Sequence, residues 1–314
     1  AEYMPEEIDS FADGLNHLLI KSINQLMPDL DEAVGLCTSV LATVVLLAAL
    51  SVLSPEIQSV ITVGGVVVVS SILLRNTNSM IQLAAEVVRE ITEYGKLLCP
   101  VMASALAAQG AVTSAAALYS GAVVFSTVLY MLISELLIPM IYLFLVFSIA
   151  GCAFGEEILR KLSDLIKSGS VWLLKTLLIV YTTYMSITGV VSGGTDAASL
   201  KAAKIAISTT VPVVGGILAD ASEAVIHSVN VMKNAAGVYG ILAVLALFLK
   251  PFLQVGVHCL VLKLFTALYG VFGNKQINWL TEDFAAALSL LLAMVGSGCL
   301  SVLVSTVCFL KGAG

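Results

Sequence analysis

Long runs without a charged side chain alternate with short charged ones along the chain, and this alternation sets the predicted elements. About 20 apolar residues rising 1.5 Å each cross a hydrocarbon core of roughly 30 Å. Residues 33–55 and 57–74 form two such windows, divided by Glu56 beside Pro55. Residues 97–134 form a longer one, enough for one long span or for a short apolar helix plus a span broken near Gly110, and 136–155 follows the lone Glu135. Residues 176–195 make a span beginning near Trp172. Residues 234–249 and 251–274 read as two more with Pro251 at the break, and 284–310 as the last, with Thr281-Glu282-Asp283 as its helix start. About seven or eight spans are expected on this count.

Between the windows the pattern changes to helical amphipathicity. In 6–27, Ile8, Phe11, Leu15, Leu18, Leu19, Ile23 and Leu26 recur at helical spacing up to Pro28. In 76–95, Met80, Ala84, Val87, Val88 and Ile91 share a face opposite Glu86, Arg89, Glu90 and Glu93. In 156–167, Ile158, Leu159, Leu162, Leu165 and Ile166 do the same. Such helices lie in the headgroup plane, pack on the rim of a bundle, or simply connect spans.

Composition excludes an ordinary soluble enzyme. The 314 residues are 59% hydrophobic and 11% charged, against about 25% charged in soluble domains. The net charge of -6 is local. Glu2, Glu6, Glu7, Asp9, Asp13, Asp29, Asp31 and Glu32 stand against Lys21 within 1–32, and the rest of the chain is nearly neutral. The expected organisation is an acidic amphipathic segment, 1–32, followed by one multi-pass membrane domain, 33–314. The scattered bases offer nothing to nucleic acid. A single lysine in 1–32 favours the outside face there, and Arg160, Lys161, Lys167 and Lys175 favour the cytoplasm for 156–175. Both assignments hold if an odd number of crossings separates them. The chain starts at Ala1, which fits a trimmed chain or a mature form after removal of a signal peptide.

No constellation for catalysis emerges. The chain lacks a GxxxxGK[ST] loop and an HExxH pair, and His17, His227 and His258 are far apart. Cys37, Cys99, Cys152, Cys259, Cys299 and Cys308 all fall in apolar stretches without a CxxC pair, so they read as buried thiols. His258-Cys259 reads as a packed core pair before it reads as half a metal site. Neither enzyme activity nor a cofactor is expected. Glycine pairs such as Gly151/Gly155 and Gly189/Gly193 favour close helix contact, within one chain or between copies.

The informative stretch is 187–240. It is apolar enough for a membrane yet carries Asp196, Lys201, Lys204, Asp220, Glu223, His227 and Lys233. Lys201 and Lys204 share one helix face, and Asp220, Glu223 and His227 share another. Pro212, Gly215 and Gly216 break the pattern between them. Charges at membrane depth face water or partners, and broken helices there line cavities. A re-entrant or pore-lining pair over 196–233 has this pattern; so do two amphipathic helices at the interface. Glu135 is the other suspect, either a buried carboxylate or a headgroup residue in a tight turn.

The fold class expected is therefore an all-α polytopic membrane protein with a broken or re-entrant helical pair around 196–233. Within it, YTTYMSITGVVSGGTDAASLKAAKIAISTTVPVVGGILADASEAV (181–225) and KNAAGVYGILAVLALFLKPF (233–252) closely resemble the stage III sporulation protein AE family of endospore-forming bacteria. The likeness runs from about Tyr181 to Lys275.

The resemblance implies a multi-pass component of a channel-like complex joining mother cell and forespore, in the mother-cell-derived outer forespore membrane. It implies as partners other stage III sporulation proteins: the secretion-type ATPase AA, the ring protein AG and, indirectly, the forespore protein IIQ. It implies an export signal already removed before Ala1, and it carries over no catalytic residue. The functional expectation is a channel or export-platform subunit, homo-oligomeric in the lipid bilayer, with 196–233 lining or gating a passage. The alternative is a non-conducting scaffold for the ring proteins and ATPase. A secondary transporter is disfavoured by the lack of an internal repeat.

Overall fold

Residues 284–310 carry apolar side chains on all sides, which leaves no polar face to turn outward, and this segment becomes the buried axis of a helical bundle. The computed structural model describes residues 11–53, 55–210, 215–269 and 275–311, with no strand among the described residues. Its helices are α1 (Phe11–Asn24), α2 (Met27–Leu53), α3 (Gln58–Ala108), α4 (Val112–Met131), α5 (Ile138–Phe154), α6 (Glu157–Thr210), α7 (Gly215–Tyr269) and α8 (Lys275–Lys311). Six stretches are long and apolar enough to cross a membrane: Met27–Val52, Gln58–Ala108, Val112–Phe154, Glu157–Thr188, Tyr239–Tyr269 and Lys275–Leu310. In α8, 61% of the apolar window is buried, against 17–39% in the other five, so α8 is the centre.

Several predicted boundaries vanish into longer helices. The windows 57–74 and 97–108 and the amphipathic segment 76–95 are one helix, α3, of 51 residues. The 76–95 segment thus packs on the bundle rather than lying in the headgroup plane. The 156–167 segment is likewise the start of α6, continuous with the following span. Pro251 does not split its region: α7 runs through it, with the Phe248 and Phe252 rings 4.6 Å apart across the proline. A proline removes one backbone donor, a loss that neighbouring helices offset in a bundle. The helix start at 281–283 gives way to Lys275, and Pro28 opens α2 rather than closing α1.

Glu135 lies in no turn between spans. α4 passes into α5 through one wide π turn, Leu132–Leu137, with the Ile138 amide donating to the Ile133 carbonyl. The cause is Pro139, which has no N–H to offer the Glu135 carbonyl and whose ring crowds it. The result is a rod of 43 residues, Val112–Phe154. Two of the real turns are made by a glycine with a left-handed backbone. Gly110 (φ 92°) separates α3 from α4, and Gly155 (φ 70°) caps α5 by donating to the Gly151 carbonyl at 2.9 Å.

Contacts at glycines fix the register. A β-carbon at Gly95 would lie 3.0 Å from Val302, and one at Gly298 would lie 3.8 Å from Val88, so α3 and α8 run parallel. Cys259 beside Ser289 (3.2 Å) and Phe252 beside Gly296 set α7 antiparallel to α8. α4–α5 and α6 form an antiparallel hairpin: the Ser163 hydroxyl donates to the Phe144 carbonyl at 3.3 Å, and the Phe125 and Tyr181 rings sit 5.1 Å apart. Lipid offers helices no hydrophobic drive to associate, so small-residue packing and interhelical hydrogen bonds do more of the work. Tyr181 donates to the Ser301 carbonyl at 2.6 Å and also meets the Ser305 hydroxyl, while Tyr269 donates to the Cys37 carbonyl at 2.9 Å.

Candidate functional site: a polar face at membrane depth

The middle of α3 presents its apolar face inward. Met80, Ala84, Val87, Val88 and Ile91 are buried against the bundle. Helical period then forces the other side outward: Arg75, Asn78, Gln82, Glu86, Arg89, Glu93 and Lys96 recur every three or four residues and are all exposed. With Ser71 at its lower end, the stripe is roughly 38 Å long at 1.5 Å per residue. Apolar side chains resume on the same side beyond both ends, with Val67 and Val68 below and Leu97 and Val101 above, all exposed.

The register places this stripe beside the apolar part of α8, because Val88 and Ile91 touch Gly298 and Gly95 touches Val302. Other helices show lipid-like surfaces around the bundle, including Leu143 and Val146 on α5, Trp172 and Ile179 on α6, and Leu260 and Leu264 on α7. A polar stripe as long as the hydrocarbon core is thick does not face acyl chains at low cost. Water or protein would accommodate it at lower cost. Its charges compensate internally: Arg89 lies 3.9 Å from both Glu86 and Glu93. Tyr142 of α5 borders it and donates to Asn78 Oδ1 at 2.7 Å.

A second polar cluster surrounds the first turns of α8. The Ser148 hydroxyl of α5 donates to Asp283 at 2.5 Å. The Arg160 guanidinium sits 3.4 Å from the centre of the Trp279 ring, and the Lys275 ammonium 4.5 Å from it. A cleft of about 430 Å³ lies between these residues and the α5–α6 turn. Several other polar groups bond within the bundle. Thr92 bonds the Val88 carbonyl one turn back at 2.7 Å. His258 Nδ1 meets the Gln254 carbonyl at 3.0 Å, while Cys259 faces Ser289, so the two side chains serve different packing roles. Five of the six cysteines are buried, Cys308 is half-buried, and none is joined in a disulfide. No three metal-ligating side chains gather among the described residues.

The sequence-predicted residues fall as follows. Lys201 and Lys204 are on α6, and Asp220, Glu223 and His227 are on α7, but their side chains lie outside the described residues. Pro212 lies outside them as well; α6 ends at Thr210, and Gly215 and Gly216 open α7. Glu135 is exposed on the surface of the α4–α5 rod, which corrects its reading as a buried carboxylate. Pro139 widens the helix there and leaves the side chain on the outer surface, about two turns from Tyr142. The carboxylate drawn inward is Asp283, half-buried against Ser148.

The sequence profile described as Stage III sporulation protein AE matches residues 6–312. The chain belongs to this family. Membership carries a role in sporulation for a protein whose helices suit a membrane. Stage III sporulation protein AE of Bacillus subtilis (strain 168) is similar at 24% identity over 204 residues. That match covers 65% of this chain and 51% of the relative, so the aligned part is about half the relative's length. No solved structure matches the fold. Within this chain, the α3 face is the polar feature whose weight the sequence did not reveal. Its signal was present, since charges recurring at helical period over 75–96 connect two apolar windows without a turn residue.

Proposed function

We propose that this chain is a channel or export-platform subunit of the mother cell–forespore complex required for endospore formation, residing in the mother-cell-derived outer forespore membrane. The observation that carries the reading is the exposed polar face of α3, running alongside an apolar, buried α8. Copies of the chain arranged with this face inward enclose a hydrated path, and their lipid-facing helices surround it. The near balance of Arg75, Arg89 and Lys96 against Glu86, Glu90 and Glu93 suits a path that does not select strongly by charge. The pair 196–233 lines or gates one end, with Lys201, Lys204, Asp220, Glu223 and His227 setting its polarity. The ATPase AA, the ring protein AG and, indirectly, the forespore protein IIQ are the partners proposed for the assembly.

Single cysteines placed in a cysteine-free background test this in membranes. Residues 82, 86, 89 and 93 should react with a membrane-impermeant thiol reagent, as should one helix face of 196–233. Cysteines at 143, 146, 260 and 264 should stay protected. Uniform protection of α3 and 196–233 favours instead a scaffold whose polar face is covered by partner protein. Normal sporulation after Asp220→Ala with Glu223→Ala removes the gating role of that pair.

A further inference from the structure

A groove of about 720 Å³ runs between α6, α7 and α8, on a face of α8 next to the one that carries Asp283 and Trp279. Its lower end carries Lys167 from α6, Lys263 from α7 and Glu282 from α8. Its upper end is apolar and wide because the side chains are short: Ala285, Ala286 and Ala293 line it with Leu290. From Glu282 to Ala293 the groove climbs roughly 16 Å along α8. Its shape is thus charged at one end and oily at the other, open along its length.

The charged end carries the residue types of a boundary between membrane and water. Arg160, Lys161 and Lys275 gather around the same turns, and Trp279 lies under Arg160 and Lys275. Basic side chains with tryptophan mark the headgroup level of a membrane protein. A bilayer supplies one abundant molecule with matching ends, and two lysines on neighbouring helices are suited to a phosphate.

We infer that this groove binds a glycerophospholipid, with the headgroup phosphate between Lys167 and Lys263 and an acyl chain along Ala286, Leu290 and Ala293. Asn278 fixes the third charge by donating from Nδ2 to Glu282 Oε1 at 2.9 Å. That carboxylate lowers the positive potential of the site, so it favours a single phosphodiester over a more highly charged headgroup. The inference does not rest on the channel reading, since a scaffold in the same bilayer would bind the same lipid.

Native mass spectrometry of the full chain, exchanged into detergent with phosphatidylglycerol or diacylglycerol of identical chains, tests the assignment. The wild type should retain phosphatidylglycerol and not diacylglycerol. Lys167→Gln with Lys263→Gln should retain it at least tenfold less, at about fivefold per lysine near a headgroup. Glu282→Gln should raise retention, because it removes the repelling carboxylate without shortening the side chain. Lys167→Arg with Lys263→Arg should restore it, which separates loss of charge from loss of fold. Equal retention of the two lipids, unchanged binding in the double glutamine variant, or displacement by millimolar glycerol phosphate would overturn the proposal.

Discussion

The Ser148 hydroxyl reaches the Asp283 carboxylate across 2.5 Å and ties α5 to the first turns of α8. The bond joins residues 135 apart in sequence and gives a half-buried carboxylate a donor. Ser148→Ala leaves that carboxylate short of one partner, so a loss of about 1–3 kcal/mol is expected. Asp283→Asn keeps an acceptor at the same place and should cost less. Denaturation of both single variants and the double variant in detergent measures the coupling, and independent effects that simply add would show that the contact contributes nothing.

Tyr181 makes a comparable tie between α6 and α8, with its hydroxyl on the Ser301 carbonyl and Ser305. Here the ring matters more than the hydroxyl. Tyr181→Phe keeps the contact with Phe125 and should cost about 0.5–1.5 kcal/mol. Tyr181→Ala opens a cavity in the buried cluster that it shares with Met102, Leu118 and Met185, and should cost about 3–5 kcal/mol. Similar losses in the two variants would assign the stability to the hydroxyl pair instead.

These ties differ in how far sequence announces them. The inward face of α3 was legible because Met80, Ala84, Val87 and Ile91 need only the local 3.6-residue period to be sorted from Glu86 and Glu93. The length of α3 was not, because joining 57–74 to 97–108 through a charged middle depends on α8 lying alongside. Pro251 misled in the same way. Its missing N–H group is a local fact, while the packing that keeps a helix continuous through it is tertiary. Asp283 reads in sequence as a helix-start residue, and nothing near it shows that Ser148 will arrive from another helix. The groove holding Lys167 and Lys263 is likewise invisible, since it exists only between helices.

The parallel packing of α3 on α8 rests on close approach at Gly95, where a β-carbon would lie 3.0 Å from Val302. Gly95→Leu should push the helices apart and cost about 1–3 kcal/mol, the range for overpacking. Val302→Ala in the same chain returns volume at that contact and should recover part of the loss. Thermal denaturation of the two single variants and the double variant reads this directly, and a double variant no better than Gly95→Leu would show the strain to lie elsewhere.

The polar face of α3 separates stability from function most sharply. Arg89, Glu86 and Glu93 keep side chains more than half exposed, at pair distances of 3.9 Å, and exposed pairs of this kind contribute about 0.2–1 kcal/mol. Arg89→Ala should therefore hardly move the unfolding transition. Replacing Gln82, Glu86 and Glu93 together with leucine removes three polar side chains from the middle of the stripe without touching the buried face of Met80, Ala84 and Ile91. If the stripe borders water, the triple variant should insert and fold as the wild type does, yet spore yield should fall by orders of magnitude. Immunoblotting of membranes establishes that the variant is present, and heat-resistant spore counts read the function. If the stripe merely faces lipid, leucine suits it better than glutamate does, and sporulation should proceed at the wild-type level. That outcome would end the reading of α3 as the wall of a passage.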